Sequence, residues 1–227
     1  SGDSGRVDES GTLTTLTRAG SYPDDVSVTV THDGIERSAA AAVVIEPGPL
    51  SDIAVARNID AQAGETIELE LTPVDRHGNT VTENVDISWR LLDPLVGEVS
   101  EIGRFTASAS SGVYVAALEA VAGQNESSLA VPVSVSISAA DLERVSISPS
   151  APDVLDGETK RFIVSASDRF GNPVELSKTS WSSKNVGSIN SDGELTVAAA
   201  VGAHNDSIQV MVESNGISRT ASASVNV

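Results

Sequence analysis

The residues from Gly5 to Ile45 recur without a gap from Gly187 to Val227. In that register Gly11 falls on Gly193, Leu13 on Leu195, Gly20 on Gly202, Asp24 on Asp206, Val28 on Val210, Gly34 on Gly216 and Arg37 on Arg219. Such self-similarity means that one structural unit is built more than once. A third copy, with small gaps, fills the middle. Gly64-Glu65-Thr66 matches Gly157-Glu158-Thr159, and Asp75-Arg76-His77-Gly78-Asn79 matches Asp168-Arg169-Phe170-Gly171-Asn172. Ser88-Trp89 matches Ser180-Trp181, and Gly103-Arg104-Phe105-Thr106 matches Gly193-Glu194-Leu195-Thr196. The chain therefore reads as the later half of a repeat over 1–47 and two full repeats over 48–137 and 138–227.

The unit is a β unit. Phe162, Val164 and Ala166 alternate with Arg161, Ile163 and Ser165, and Ile208, Val210 and Val212 alternate with Gln209, Met211 and Glu213. A period of two marks strands with one face on a core and the other in water. Asp156-Gly157, Gly171-Asn172-Pro173, Asp192-Gly193 and Asn215-Gly216 punctuate the strands, and Asn-Gly or Asp-Gly favours a two-residue hairpin. About seven short antiparallel strands per repeat of about 90 residues fit an immunoglobulin-like β-sandwich. The fold expected is all-β, with the sandwiches in tandem. The short connections at Glu46-Pro47-Gly48-Pro49 and Ser138-Ala139-Ala140-Asp141 favour an extended, semi-rigid rod.

Composition narrows the function. Aromatics make up 3% of the chain, so Val, Ile, Leu and Ala must build the cores. There is no cysteine, so each unit must hold by sheet packing alone. A formal charge of −18 opposes binding to nucleic acid or anionic lipid. Acidity with only three lysines (Lys160, Lys178 and Lys184) hints at a saline habitat. No apolar run is long enough to span a bilayer, and no signal peptide or anchor is visible, so any membrane attachment is expected outside these residues.

The order Gly-Glu-Thr, Asp-Arg-Phe-Gly-Asn-Pro-Val, Ser-Trp, Asp-Gly-Glu-Leu-Thr in 157–196 resembles the bacterial immunoglobulin-like (Big) domains. These occur in tandem in invasin- and intimin-type adhesins and in large prokaryotic surface proteins. The resemblance covers essentially the whole chain and is specific for fold rather than function. It implies an extracellular or cell-surface location; the partners expected are neighbouring repeats or, from the incomplete first repeat, identical chains.

Asp75, Asn79, Asp168 and Asn172 have the oxygen chemistry of calcium ligands. The competing reading is a turn in which Asp accepts backbone N–H bonds while Gly78 or Gly171 supplies a positive φ. Recurrence in both full repeats favours the turn. Trp89 and Trp181 share one place in the repeat and are expected to pack across the sandwich rather than to stack on sugars. Gly103 and Gly193 open the strand that follows. Tyr22, Tyr114 and His204 share another place, where a tyrosine is expected to bond the backbone at a strand corner and its replacement by His204 makes a metal reading unnecessary. Asn125-Glu126-Ser127 and Asn205-Asp206-Ser207 are glycosylation sequons. The acidic pairs Asp24-Asp25 and Asp141/Glu143 lie near turns or a linker, where a cation could stiffen the chain.

His32, His77 and His204 have no ligand-like spacing, and no Gly-x-Ser-x-Gly elbow or phosphate-binding glycine loop is present. No cofactor and no catalysis are expected. The leading function is a stalk or spacer of a prokaryotic surface protein. The alternative is a self-assembling surface-layer or filament subunit in which a neighbouring chain completes 1–47, because half a sandwich leaves an apolar face and open strand edges.

Overall fold

In the computed structural model, which describes residues 3–227, every regular element is a β-strand. The first unit contains β1 (Gly5–Val7), β2 (Leu13–Thr15), β3 (Gly20–His32) and β4 (Ile35–Ile45). The middle repeat contains β5 (Asp52–Val55), β6 (Asn58–Gln62), β7 (Thr66–Glu68), β8 (Leu71–Val74), β9 (Val85–Leu91), β10 (Gly97–Val99), β11 (Arg104–Ala107), β12 (Gly112–Gln124) and β13 (Ser127–Ser138). The last contains β14 (Arg144–Ser148), β15 (Thr159–Arg161), β16 (Ile163–Ser167), β17 (Lys178–Ser183), β18 (Gly187–Ile189), β19 (Glu194–Val197), β20 (Ala203–Ser214) and β21 (Ile217–Asn226).

These segments outnumber the seven strands expected because a strand can change partner midway. β5 pairs with β8, but the chain then crosses Ala56-Arg57 and runs as β6 beside β13. Likewise β7 pairs with β11 before β8 returns to β5. The β6–β13 pairing is parallel, against the all-antiparallel expectation. Its counterpart in the last repeat is one parallel bridge, Asp153–Asn226. A strand that serves both sheets ties the two layers together and leaves fewer open edges.

The chain is a series of immunoglobulin-like β-sandwiches. In the middle repeat the sheet β6-β13-β12-β9 faces the strands β10-β11-β7 and β5-β8. Its core holds Trp89, Val96, Phe105, Leu118, Val133 and Val135, all buried. In the last repeat β17-β20-β21 faces β15-β19-β18, and Phe162, Val186, Leu195, Ile208 and Val210 fill the space. One Phe per core is enough because β-branched residues pack the remainder.

The first unit differs. β3 pairs only with β4 among the described residues. Val28 and Val30 are 58% and 59% exposed, whereas Val210 and Val212, their counterparts, are fully buried.

All three long hairpins share one irregularity. Their register breaks between Tyr22 and Val26, between Tyr114 and Leu118, and between His204 and Ile208. Asp24, Ala116 and Asp206 sit in these bulges with φ of 54°, 50° and 48°. A bulge adds twist and bends the hairpin.

Candidate functional site

The Asp-Arg-x-Gly-Asn segments form tight loops, each closed by a bridge: Val74–Thr80 in the middle repeat and Ser167–Pro173 in the last. Asp75 and Asp168 are buried, 3% and 0% exposed. A buried carboxylate is costly unless its oxygens accept hydrogen bonds, and here they do. Asp75 Oδ1 accepts the amides of His77 (2.8 Å) and Asn79 (2.9 Å). Its Oδ2 accepts the amide of Gly48 (2.9 Å) and the side-chain Nδ2 of Asn79 (2.8 Å). Asp168 repeats this atom for atom. Oδ1 takes Phe170 and Asn172 amides at 2.9 Å each, and Oδ2 takes the Ala140 amide and Asn172 Nδ2 at 2.8 and 2.7 Å. Gly48 and Ala140 lie in the connecting segments, so each aspartate pins the linker that enters its own repeat.

The asparagines reach the other way. Asn79 Nδ2 donates to the Thr17 carbonyl (2.7 Å), while its Oδ1 accepts the Ala19 amide (2.9 Å). Asn172 Nδ2 donates to the Ala109 carbonyl (2.7 Å), and its Oδ1 accepts the Ser111 amide (3.0 Å). Both contacts fall on the same loop of the preceding unit, just ahead of β3 or β12. That loop is shaped from within: Tyr22 Oη donates to the Arg18 carbonyl (2.9 Å) and Tyr114 Oη to the Ser110 carbonyl (3.1 Å). In the last repeat His204 Nε2 lies 2.9 Å from the Ala200 carbonyl. The five-residue motif thus joins three things: its own turn, the linker, and the neighbouring unit.

Electrostatics follow from this geometry. The side-chain hydrogen bond from Asn79 holds the Asp75 carboxyl well below the usual carboxylate range, against the upward pull of burial and with help from the Gly48, Asn79 and His77 amides. At Asp168 burial pushes upward most strongly, yet the combined bonds from Asn172, Ala140 and Phe170 bring the net shift below the ordinary value. Both groups are anions at neutral pH, and the four acceptor positions of each are in use.

The calcium candidates Asp75 and Asn79, and Asp168 and Asn172, are therefore brought together in pairs, each with one carboxylate. Among the described residues no group of three or more His, Asp or Glu is placed to hold a metal ion. Asp25 is occupied as well, accepting the Asp3 and Ser4 amides at 2.9 Å and the Ser4 hydroxyl.

Gly78 and Gly171 close the loops with φ of 82° and 94°. Trp89 is buried, whereas Trp181 is half-buried against its core. Each indole lies against a glycine: a β-carbon on Gly103 would fall 2.9 Å from Trp89 Nε1, and one on Gly193 would fall 3.2 Å from Trp181 Cε2. The sequon residues Asn125 and Asn205 are exposed, in a hairpin turn and in a bulge.

One contact had no counterpart in the sequence reading. At the second junction the Arg169 guanidinium stacks 4.6 Å from the Phe170 ring centroid, and the ring covers Gly64 of the preceding repeat. A β-carbon on Gly64 would come within 2.7 Å of Phe170 Cζ. The match of Gly64 to Gly157 placed this glycine in the repeat but not at its edge.

No protein-family profile matches the chain, and no curated protein does. Similar solved structures include the N-terminal four Ig domains of Dscam1 isoform 4.44, at 18% identity over 97% of this chain and 65% of that one, with a TM-score of 0.42. The same region of Dscam1 isoform 6.9 is 19% identical over 85% of this chain, TM-score 0.42. The chain spans about half the length of that structure (51%). Domains 4 and 5 of the S-layer protein SbsC are 18% identical over 79% of this chain and 99% of that one, TM-score 0.34.

Proposed function

We propose that this chain is a non-catalytic stalk or spacer of a prokaryotic cell-surface or adhesin-type protein, built of units at 1–47, 48–137 and 138–227. One observation carries the reading: the same four-bond carboxylate and the same two-bond asparagine clamp stand at both junctions. A spacer must fix the angle between successive domains, and side-chain bonds across the junction add a direction that a semi-rigid linker does not set by itself. An asparagine bonded to a neighbour's carbonyl and amide sets both distance and direction. In this reading the partners are adjoining repeats and the acidic surface keeps the chains apart in solution.

The test uses Asn79→Ala with Asn172→Ala in the full chain. Spin labels on cysteines introduced at exposed sites of the middle and last repeats report the spread of inter-repeat distances. The variant is expected to broaden that distribution while its core melts as before. An unchanged distribution would overturn the reading.

A second reading rests on the exposed β3–β4 face. Val28, Val30 and Ile35, each more than half exposed, make an apolar strip beside a strand edge that has no partner among the described residues. A neighbouring chain that covered it by strand addition would make the protein a surface-layer or filament subunit. Sedimentation across a concentration series separates the two. Assembly abolished by Val28→Glu supports the filament, and a monomer throughout supports the stalk.

A further inference from the structure

The two occupied junctions define a receptor as well as a clamp. Its parts are a carbonyl and, two residues on, an amide in the loop ahead of the long hairpin: Thr17 and Ala19, or Ala109 and Ser111. The third copy of this loop lies in the last repeat, where the corresponding groups are the Ala199 carbonyl and the Val201 amide. The loop carries the equivalent internal contact, from His204 to the Ala200 carbonyl where tyrosines contact Arg18 and Ser110, although its bends fall later, at Val201 and Gly202. Yet neither group has a protein partner among the described residues, and Val201 is 91% exposed.

The glycine beside the loop points the same way. Gly64, covered by Phe170 and Arg169 of the following repeat, and Gly157 share the left-handed conformation, φ 72° and 82°. Around Gly157 no atom lies within 4 Å of the β-carbon position. The space that Phe170 fills at one junction is open at this one.

We infer that the Ala199–Val201 loop and Gly157 form a docking surface for the Asp-Arg-x-Gly-Asn loop of a further immunoglobulin-like repeat. The asparagine of that repeat donates to the Ala199 carbonyl and accepts from the Val201 amide, and its aromatic residue covers Gly157. The motif's own loops are not available for this role, because Asn79 and Asn172 are already engaged. The occupant is therefore an added repeat rather than a second copy of this intact chain. This inference rests on the clamp reading above and extends it from holding the repeats present to recruiting another.

The experiment lengthens the full chain by a second copy of residues 138–227 placed directly after Val227, as Ser138 follows Ile137 in the natural junction. Amide hydrogen exchange is then followed at Val201 and at Ser111. Val201 is expected to exchange about tenfold or more slowly in the lengthened chain, and to regain its original rate when the asparagine equivalent to Asn172 in the added copy becomes alanine. A Val201 rate that ignores this asparagine, with Ser111 still protected by the original Asn172, overturns the inference alone. If Asn172→Ala in the original repeat leaves Ser111 protected, the clamp itself is overturned. A lengthened chain carrying Gly157→Asn, which tolerates the backbone angle but occupies the gap, should lose the Val201 protection in part or whole.

Discussion

At Asp75 and Asp168 one buried charge holds both a turn and the linker before it. Each is ionised because hydrogen bonds to the carboxylate outweigh the cost of burial: three of the bonds close its own turn and the fourth holds the linker that enters its repeat. The pH dependence follows in sign. A carboxyl lowered in the folded state contributes stability that is present above its unfolded value of about 4 and is lost as pH falls toward the folded value. Asp75→Asn with Asp168→Asn puts an amide donor against backbone donors and should melt below the natural chain at pH 7. The gap should narrow as pH drops below about 4, where the carboxyls of the unfolded natural chain take up protons while the folded ones, held lower, resist. Melting temperature of both proteins from pH 7 to pH 2 checks this, and a gap that widens in acid contradicts it.

At the scale of the element, the long hairpin is the recurring object, and its bulge is the part most open to improvement. Asp24 and Asp206 suit the left-handed conformation, since Asp visits it readily, but Ala116 does not. Ala116→Asn should stabilise the middle repeat by about 0.5–1 kcal/mol, measured as a shift in denaturation midpoint at unchanged slope. The side chain at 116 is half-buried at the rim of β12, where a polar head can reach water. Asp206 already accepts a bond from Ser222 (2.7 Å), whereas the matching place on β13 holds Pro132 and offers none. The expected gain at 116 therefore comes from the backbone and not from a new hydrogen bond.

For the whole molecule the question is what stiffens a series of small sandwiches without disulfides. Calcium between carboxylates is one solution; here hydrogen bonds fill both junction carboxylates. Calcium at millimolar concentration should therefore raise the melting temperature no more than magnesium at equal ionic strength. The magnesium comparison matters because a chain of net charge −18 gains from any divalent screening. A calcium-specific rise, removed by Asp75→Asn and Asp168→Asn, would return those residues to the role of ligands.

The repeat, the strand pattern and the Asp-Arg-x-Gly-Asn turn were legible in the sequence because they depend on local spacing: a period of two, turn residues at fixed places, and one register across copies. Alternation alone placed Ile208, Val210 and Val212 on a core face, and recurrence alone marked Asp168 and Asn172 as structural rather than casual. What the loop is for was not legible. Asn172 is four residues from Asp168 but more than sixty from Ala109 and Ser111, and nothing in the spacing of residues says which neighbour a side-chain amide will meet. The same holds for Gly64, whose need for no side chain comes from a Phe ring of the next repeat. Sequence determined the units, through short-range conformational preference; only the tertiary structure decided the joints, because a joint is made of contacts between units whose orientation no local rule fixes.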